Sequence, residues 1–146
     1  MAMHTWFECK IRYEKVMENG MQKKVTEPYL VDALSFTEAE ARIIEEMTPF
    51  ISGEFTVSDI KRANYSELFP SDEESADRWF KCKLIFITLD EKSGAEKKTS
   101  TQVLVQAADL RDAVKKLDEG MKGTMADYQI GMVSETPLMD VYPYSA

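Results

Sequence analysis

From Trp6 to Tyr13 apolar and polar residues alternate. Phe7, Cys9, Ile11 and Tyr13 fall on one face, and Trp6, Glu8, Lys10 and Arg12 on the other. The alternation returns later in the chain. Phe80, Cys82, Leu84 and Phe86 share one face, and Trp79, Lys81, Lys83, Ile85 and Ile87 share the opposite one. A period of two predicts a strand with one buried face. After each strand comes a glycine-containing turn, Glu18-Asn19-Gly20 and Lys92-Ser93-Gly94, where glycine permits positive φ. A second strand then runs back, roughly Lys23 to Ala33 and Lys97 to Ala107. The spacing changes next. Phe36, Ala39, Ile43 and Met47 recur at helical intervals, as do Leu110, Ala113, Val114, Leu117 and Met121. Ser35 with Glu38, and Asp109 with Asp112, stand where an N-cap and its third-residue partner belong. The first helix stops near Thr48-Pro49 and the second at Gly120 or Gly123. Third strands follow at Phe55 to Ala63 and Tyr128 to Val133. Leu68-Phe69-Pro70 and Val141-Tyr142-Pro143 close the two series as short apolar tags.

The two series align with an offset of 73 residues, which becomes 74 across the first turn and returns to 73 after the helix. Trp6-Phe7-Glu8-Cys9-Lys10-Ile11 answers Trp79-Phe80-Lys81-Cys82-Lys83-Leu84, and this pattern uses both tryptophans and both cysteines of the chain. Gly20, Lys23 and Lys24 answer Gly94, Lys97 and Lys98. Further along, Leu30, Val31 and Ala33 answer Leu104, Val105 and Ala107. Val57 and Ile60 answer Ile130 and Val133. Such self-similarity predicts an internal duplication: repeat one over 6–70, an acidic linker over 71–78 and repeat two over 79–143. The expected fold class is α+β, two tandem β-β-α-β repeats with mainly antiparallel sheet and the helices on one face. A sheet curled toward a barrel is the alternative. A right-handed crossover places strand three beside strand one, giving the local order 2-1-3. Pro28 then suggests that strand two is an edge. Repeats this short bury little alone, so a shared core, as one six-stranded sheet, is expected.

Charge narrows the partners. The chain has 146 residues, 18 basic and 26 acidic, for a net −8. Repeat one carries eight Lys/Arg against twelve Asp/Glu, the linker one against four, and repeat two nine against ten. This balance argues against general duplex binding, which needs a positive face. Apolar residues make up 44% and charged residues 30%, as in a globular protein. There is no apolar run of about 18 residues to span a membrane, and no leader pattern at the N-terminus. Two cysteines without framework spacing fit a reducing, cytoplasmic setting.

Catalytic and metal chemistry find little support. Cys9 and Cys82 lie on the face expected to pack under the helices, where cysteine behaves as a small apolar residue. His4 is the single histidine, so a zinc site would lack ligands. The acidic pairs Glu45-Glu46, Asp118-Glu119 and Glu73-Glu74 read as solvated surface. Gly120-Met121-Lys122-Gly123 follows a helix and lacks phosphate-loop spacing. No enzyme activity, metal or cofactor is expected. What remains is the face opposite the helices, where Trp6, Lys10, Arg12, Lys24, Trp79, Lys81, Lys83 and Lys98 gather with Leu30, Ile85, Ile87 and Leu104. This is the candidate binding face. It could be covered within the chain or by a second subunit, take a protein partner, or stack the bases of a single-stranded nucleic acid.

The Trp-Phe-x-Cys-Lys strands, Tyr29-Leu30-Val31-Asp32-Ala33-Leu34-Ser35-Phe36-Thr37-Glu38-Ala39-Glu40-Ala41, Leu104-Val105-Gln106-Ala107, the run from Glu119 to Asp127 and the run from Glu135 to Val141 carry a resemblance over nearly the whole chain. The chain resembles a domain-of-unknown-function family (number 4494) of small proteins from Bacteroidetes and their mobile elements. The resemblance implies no activity, cofactor or site residues. The mobile-element association adds modest weight to the nucleic-acid reading. Function therefore reads as non-enzymatic binding or assembly through the outer sheet face, with a single-stranded nucleic-acid-binding accessory protein as the alternative.

Overall fold

The computed structural model describes residues 5–124 and 127–144. The chain forms β1 (Trp6–Val16), β2 (Gln22–Asp32), α1 (Phe36–Met47), β3 (Phe55–Ala63) and β4 (Glu67–Phe69). It continues with β5 (Arg78–Leu89), β6 (Glu96–Ala107), α2 (Leu110–Gly120), β7 (Tyr128–Glu135) and β8 (Asp140–Tyr142). Gly20 and Gly94 take φ of 80° and 71° in the hairpin turns, the left-handed region that glycine enters without Cβ strain. Both predicted N-caps form. Ser35 Oγ accepts the Glu38 N–H at 3.1 Å, and Asp109 Oδ1 accepts the Asp112 N–H at 2.8 Å.

The strands make two four-stranded sheets, ordered β3-β1-β2-β8 and β4-β6-β5-β7. This corrects the expected single six-stranded sheet, and neither sheet closes into a barrel. β3 lies beside β1 and β7 beside β5, both antiparallel, which gives the expected local order 2-1-3 in each sheet. Strand two is not the edge: β8 runs parallel to β2, and β4 parallel to β6. Pro28 is compatible with this arrangement. Its carbonyl accepts the Met139 N–H at 2.9 Å, so its N side faces β8 and costs the β1 ladder nothing. β8 pairs only from Tyr29 onward.

The described residues divide into two compact units, 5–64 with 137–144, and 65–124 with 127–136. These are not the spans 6–70 and 79–143. Each short tag joins the sheet of the other half. The reason is reach. Ala63 ends β3 at the level of Trp6 and Asp32, whereas the fourth-strand position of that sheet begins beside Tyr29. That position lies three strand spacings across and three residues back, about 17 Å away. Four residue steps separate Ala63 from Glu67 and span at most about 14 Å. The tag cannot reach the place beside β2 in its own sheet. The stretch 71–78, expected as a linker, is fastened to the second unit. Ser71 N–H donates to Gln106 Oε1 at 2.9 Å, and Lys116 Nζ reaches Ser71 Oγ at 3.0 Å and Glu73 at 3.1 Å.

Each helix covers the face the alternation marked. In the first unit Phe7, Cys9, Ile11, Val31 and Ala33 pack with Ala39, Ile43 and Met47 of α1, with Tyr142 of β8 against them. In the second, Cys82, Leu84, Val103 and Val105 pack with Leu117 and Met121, with Phe69 of β4 against them. Phe80 packs with Ala107 and Ala113. Gly120 leaves room for the Phe69 ring, because a Cβ at this position would stand 2.7 Å from it.

Candidate cleft at the open edge of β1

The predicted outer-face residues separate by burial. Trp6 and Trp79 are 4% and 5% exposed, and Leu30 and Leu104 are fully buried. Neither indole presents an open ring face, which a base-stacking platform needs. Lys10, Lys81 and Lys83 are half-buried, and Arg12, Lys24 and Lys98 are exposed. Cross-strand register explains the local balance. In the first unit Lys10 stands opposite Asp59, and Glu8 pairs with Lys61 at 3.5 Å. In the second unit Lys81 stands opposite Ser134, Lys83 opposite Met132, and Lys98 opposite Ile87.

Arg12 and Lys24 are brought together. Both line a widely open cleft of about 930 Å³ at the far end of the first hairpin, with Tyr13, Glu14, Lys15, Val16 and the loop 50–54. Trp6, Lys10 and the second-unit lysines are not part of it. The cleft exists because β1 outruns β3. The last pair between them is Tyr13 with Phe55, so Glu14, Lys15 and Val16 pair with β2 alone. Their other backbone edge faces the cleft.

The opposite wall follows from the end of α1. Pro49 stops the helix. The N–H groups of Phe50 and Ile51 both donate to the Met47 carbonyl at 3.0 Å, tightening the chain into a turn. Ile51 packs on the core, whereas Phe50 is 76% exposed. Val16, on the facing strand, is 65% exposed. Phe50 is not among the residues that the alternation singles out, because it sits in a loop. Its one signal in the sequence is the lack of an aromatic counterpart in the second half of the chain.

Charges in the cleft are of both signs. Behind its lining, Glu27 accepts the Tyr13 hydroxyl at 2.6 Å and pairs with Lys15 at 3.7 Å. Burial, with the Glu27 hydrogen bond and charge, raises the Tyr13 pKa above the ordinary phenol value. Among the described residues, Arg12 and Lys24 have no carboxylate within ion-pair distance. Glu14 and Glu54 complete the lining.

Both thiols are buried and unpaired. Burial first, then Glu8 and Glu40, pushes the Cys9 thiol up to about 12, and burial pushes Cys82 up to about 11. On α2, the Ala108 backbone N–H and then Lys116 lower the Asp112 pKa, which marks a reinforced helix cap. Among the described residues no group of three or more His, Cys, Asp or Glu is placed to hold a metal ion. His4 lies outside the described residues. No helix among them is long and apolar enough to cross a membrane.

No curated protein and no solved structure matches the chain. The sequence profile of one family does match, over residues 5–144. That span takes in both sheets and both helices, so the chain belongs to the family described as domain of unknown function DUF4494.

Proposed function

We propose that the chain is a non-enzymatic binding module whose cleft takes an extended protein segment along the open edge of β1. The observation that carries this reading is the unpaired edge at Glu14–Val16, facing an exposed Phe50 across the cleft. A strand edge supplies main-chain hydrogen bonds to an added strand, and flanking pockets supply side-chain preference. Arg12 and Lys24 favour acidic residues in that segment, and Phe50 with Val16 favours apolar ones. Glu14 and Glu54 beside the same cleft, and a net charge of −8, disfavour a polyphosphate. The nucleic-acid reading is therefore the second choice. We infer too that the two halves arose by duplication of one unit, and that the protein works in the cytoplasm.

A displayed library of random decapeptides tests the module. Peptides mixing acidic and apolar residues should be retained, and the double variant Arg12→Glu/Lys24→Glu should weaken the retained peptides about tenfold or more, near 1.4 kcal/mol. Phe50→Ala should weaken them as well. No retention, or retention indifferent to these changes, overturns the reading. Salt-sensitive binding of a thirty-residue oligo-dT would put the nucleic-acid reading in its place.

A further inference from the structure

The fourth strand of each sheet has the same chemistry. Glu67-Leu68-Phe69-Pro70 and Asp140-Val141-Tyr142-Pro143 are each acidic, aliphatic, aromatic, proline. They seat in the same register. Glu67, Leu68 and Phe69 pair with Val103, Leu104 and Val105, and Asp140, Val141 and Tyr142 pair with Tyr29, Leu30 and Val31. Entry is matched too: Ser66 N–H donates to the Gln102 carbonyl at 2.8 Å, and Met139 N–H to the Pro28 carbonyl at 2.9 Å. In both sheets the aromatic residue goes to the helix side, where Phe69 and Tyr142 pack on the cores. Tyr142 also stacks on Tyr29 at 6.1 Å.

The acceptor edge thus recognises a short sequence, and nothing in its chemistry distinguishes a tag of the same chain from that of another. We propose that the tags are exchangeable between copies, so that the chain associates with a second copy of itself by seating β8 on the copy's β2. β8 is the strand suited to exchange. It is three residues long and joined to β7 by the short segment 136–139. Exchange keeps every strand contact and alters only which chain supplies it, so concentration and strain in the connecting segment decide the balance. A short tether holds the chain's own tag at an effective concentration of about 1 mM, so the closed monomer prevails well below that. This association does not use the cleft at β1, so it stands or falls separately from the peptide-binding reading.

Two full-length variants test it, Tyr29→Cys and Asp140→Cys, unfolded, mixed, refolded together and oxidised. A disulfide joining the two introduced thiols across chains is expected, with a yield that climbs as total protein is raised from about 10 µM to about 1 mM. The native thiols are buried, and peptide mapping identifies the link. The pair Val103→Cys and Glu67→Cys repeats the test at the other sheet, should Tyr29→Cys fail to fold. Exchange is overturned if neither mixture gives an interchain link at about 1 mM while the double variant Y29C/D140C closes within the chain.

Discussion

Phe7→Ala is expected to be among the most destabilising single substitutions in the first unit, at about 3–5 kcal/mol. Phe7 is fully buried on β1, with the Phe36 ring edge-on at 4.9 Å and the Arg62 guanidinium 5.9 Å from its ring centre. Truncation removes the largest side chain under α1, and a sheet paired on both sides of β1 cannot collapse into the space. A urea midpoint lowered by at least about 1 M measures the loss. Phe36→Ala is the control. Phe36 meets the same ring but is 50% exposed, so its loss should cost less than half as much. Equal costs would show that the helix, not the sheet face, carries the core.

A second large effect is expected at Phe69, which packs in a different sheet from the one its position in the sequence suggests. Phe69→Ala should cost about 2–3 kcal/mol, less than at a fully buried site because Phe69 is only half-buried. The loss should fall on the second unit, since Phe69 packs with Val103, Val105 and Leu117 and is cradled at Gly120. Amide exchange should therefore quicken at Val103–Val105 and stay unchanged at Tyr29–Val31. The reverse pattern would mean that the tag belongs to the sheet preceding it.

Local structure was readable because each element stated its own period and punctuation. The alternation from Phe7 to Tyr13 marked the buried face, and Phe7, Cys9 and Ile11 are fully buried. Ser35, Asp109, Gly20 and Gly94 do what cap and turn chemistry asks of them. The destination of the tags was harder to read. An apolar run such as Leu68-Phe69-Pro70 says that a strand is buried, not in which sheet. The decision lies in a three-residue connection, and its reach counts only once β3 is known to end at Ala63. Pro28 pointed to an edge for a sound reason, since the ladder on its far side does begin after it. The proline could not show that three further residues of that edge are paired.

The candidate site was legible in part. Parity placed Arg12 and Lys24 on one face, but the cleft that joins them depends on where β3 stops and how the loop at Phe50 turns. Strand parity also put Trp6 and Trp79 opposite the helices without saying whether water reaches them. Their burial moves the most accessible chemistry from the indoles to the open strand end.

Each sheet takes its fourth strand from the other half of the chain, and disulfide trapping in dilute, monomeric, full-length protein tests this most directly. The double variant Tyr29→Cys/Asp140→Cys places its two thiols on residues paired across β2 and β8, and should close readily within one chain. The double variant Tyr29→Cys/Glu67→Cys pairs the same acceptor with the tag of its own half, and should stay open. Closure of the second pair with the first left open would contradict the crossed arrangement.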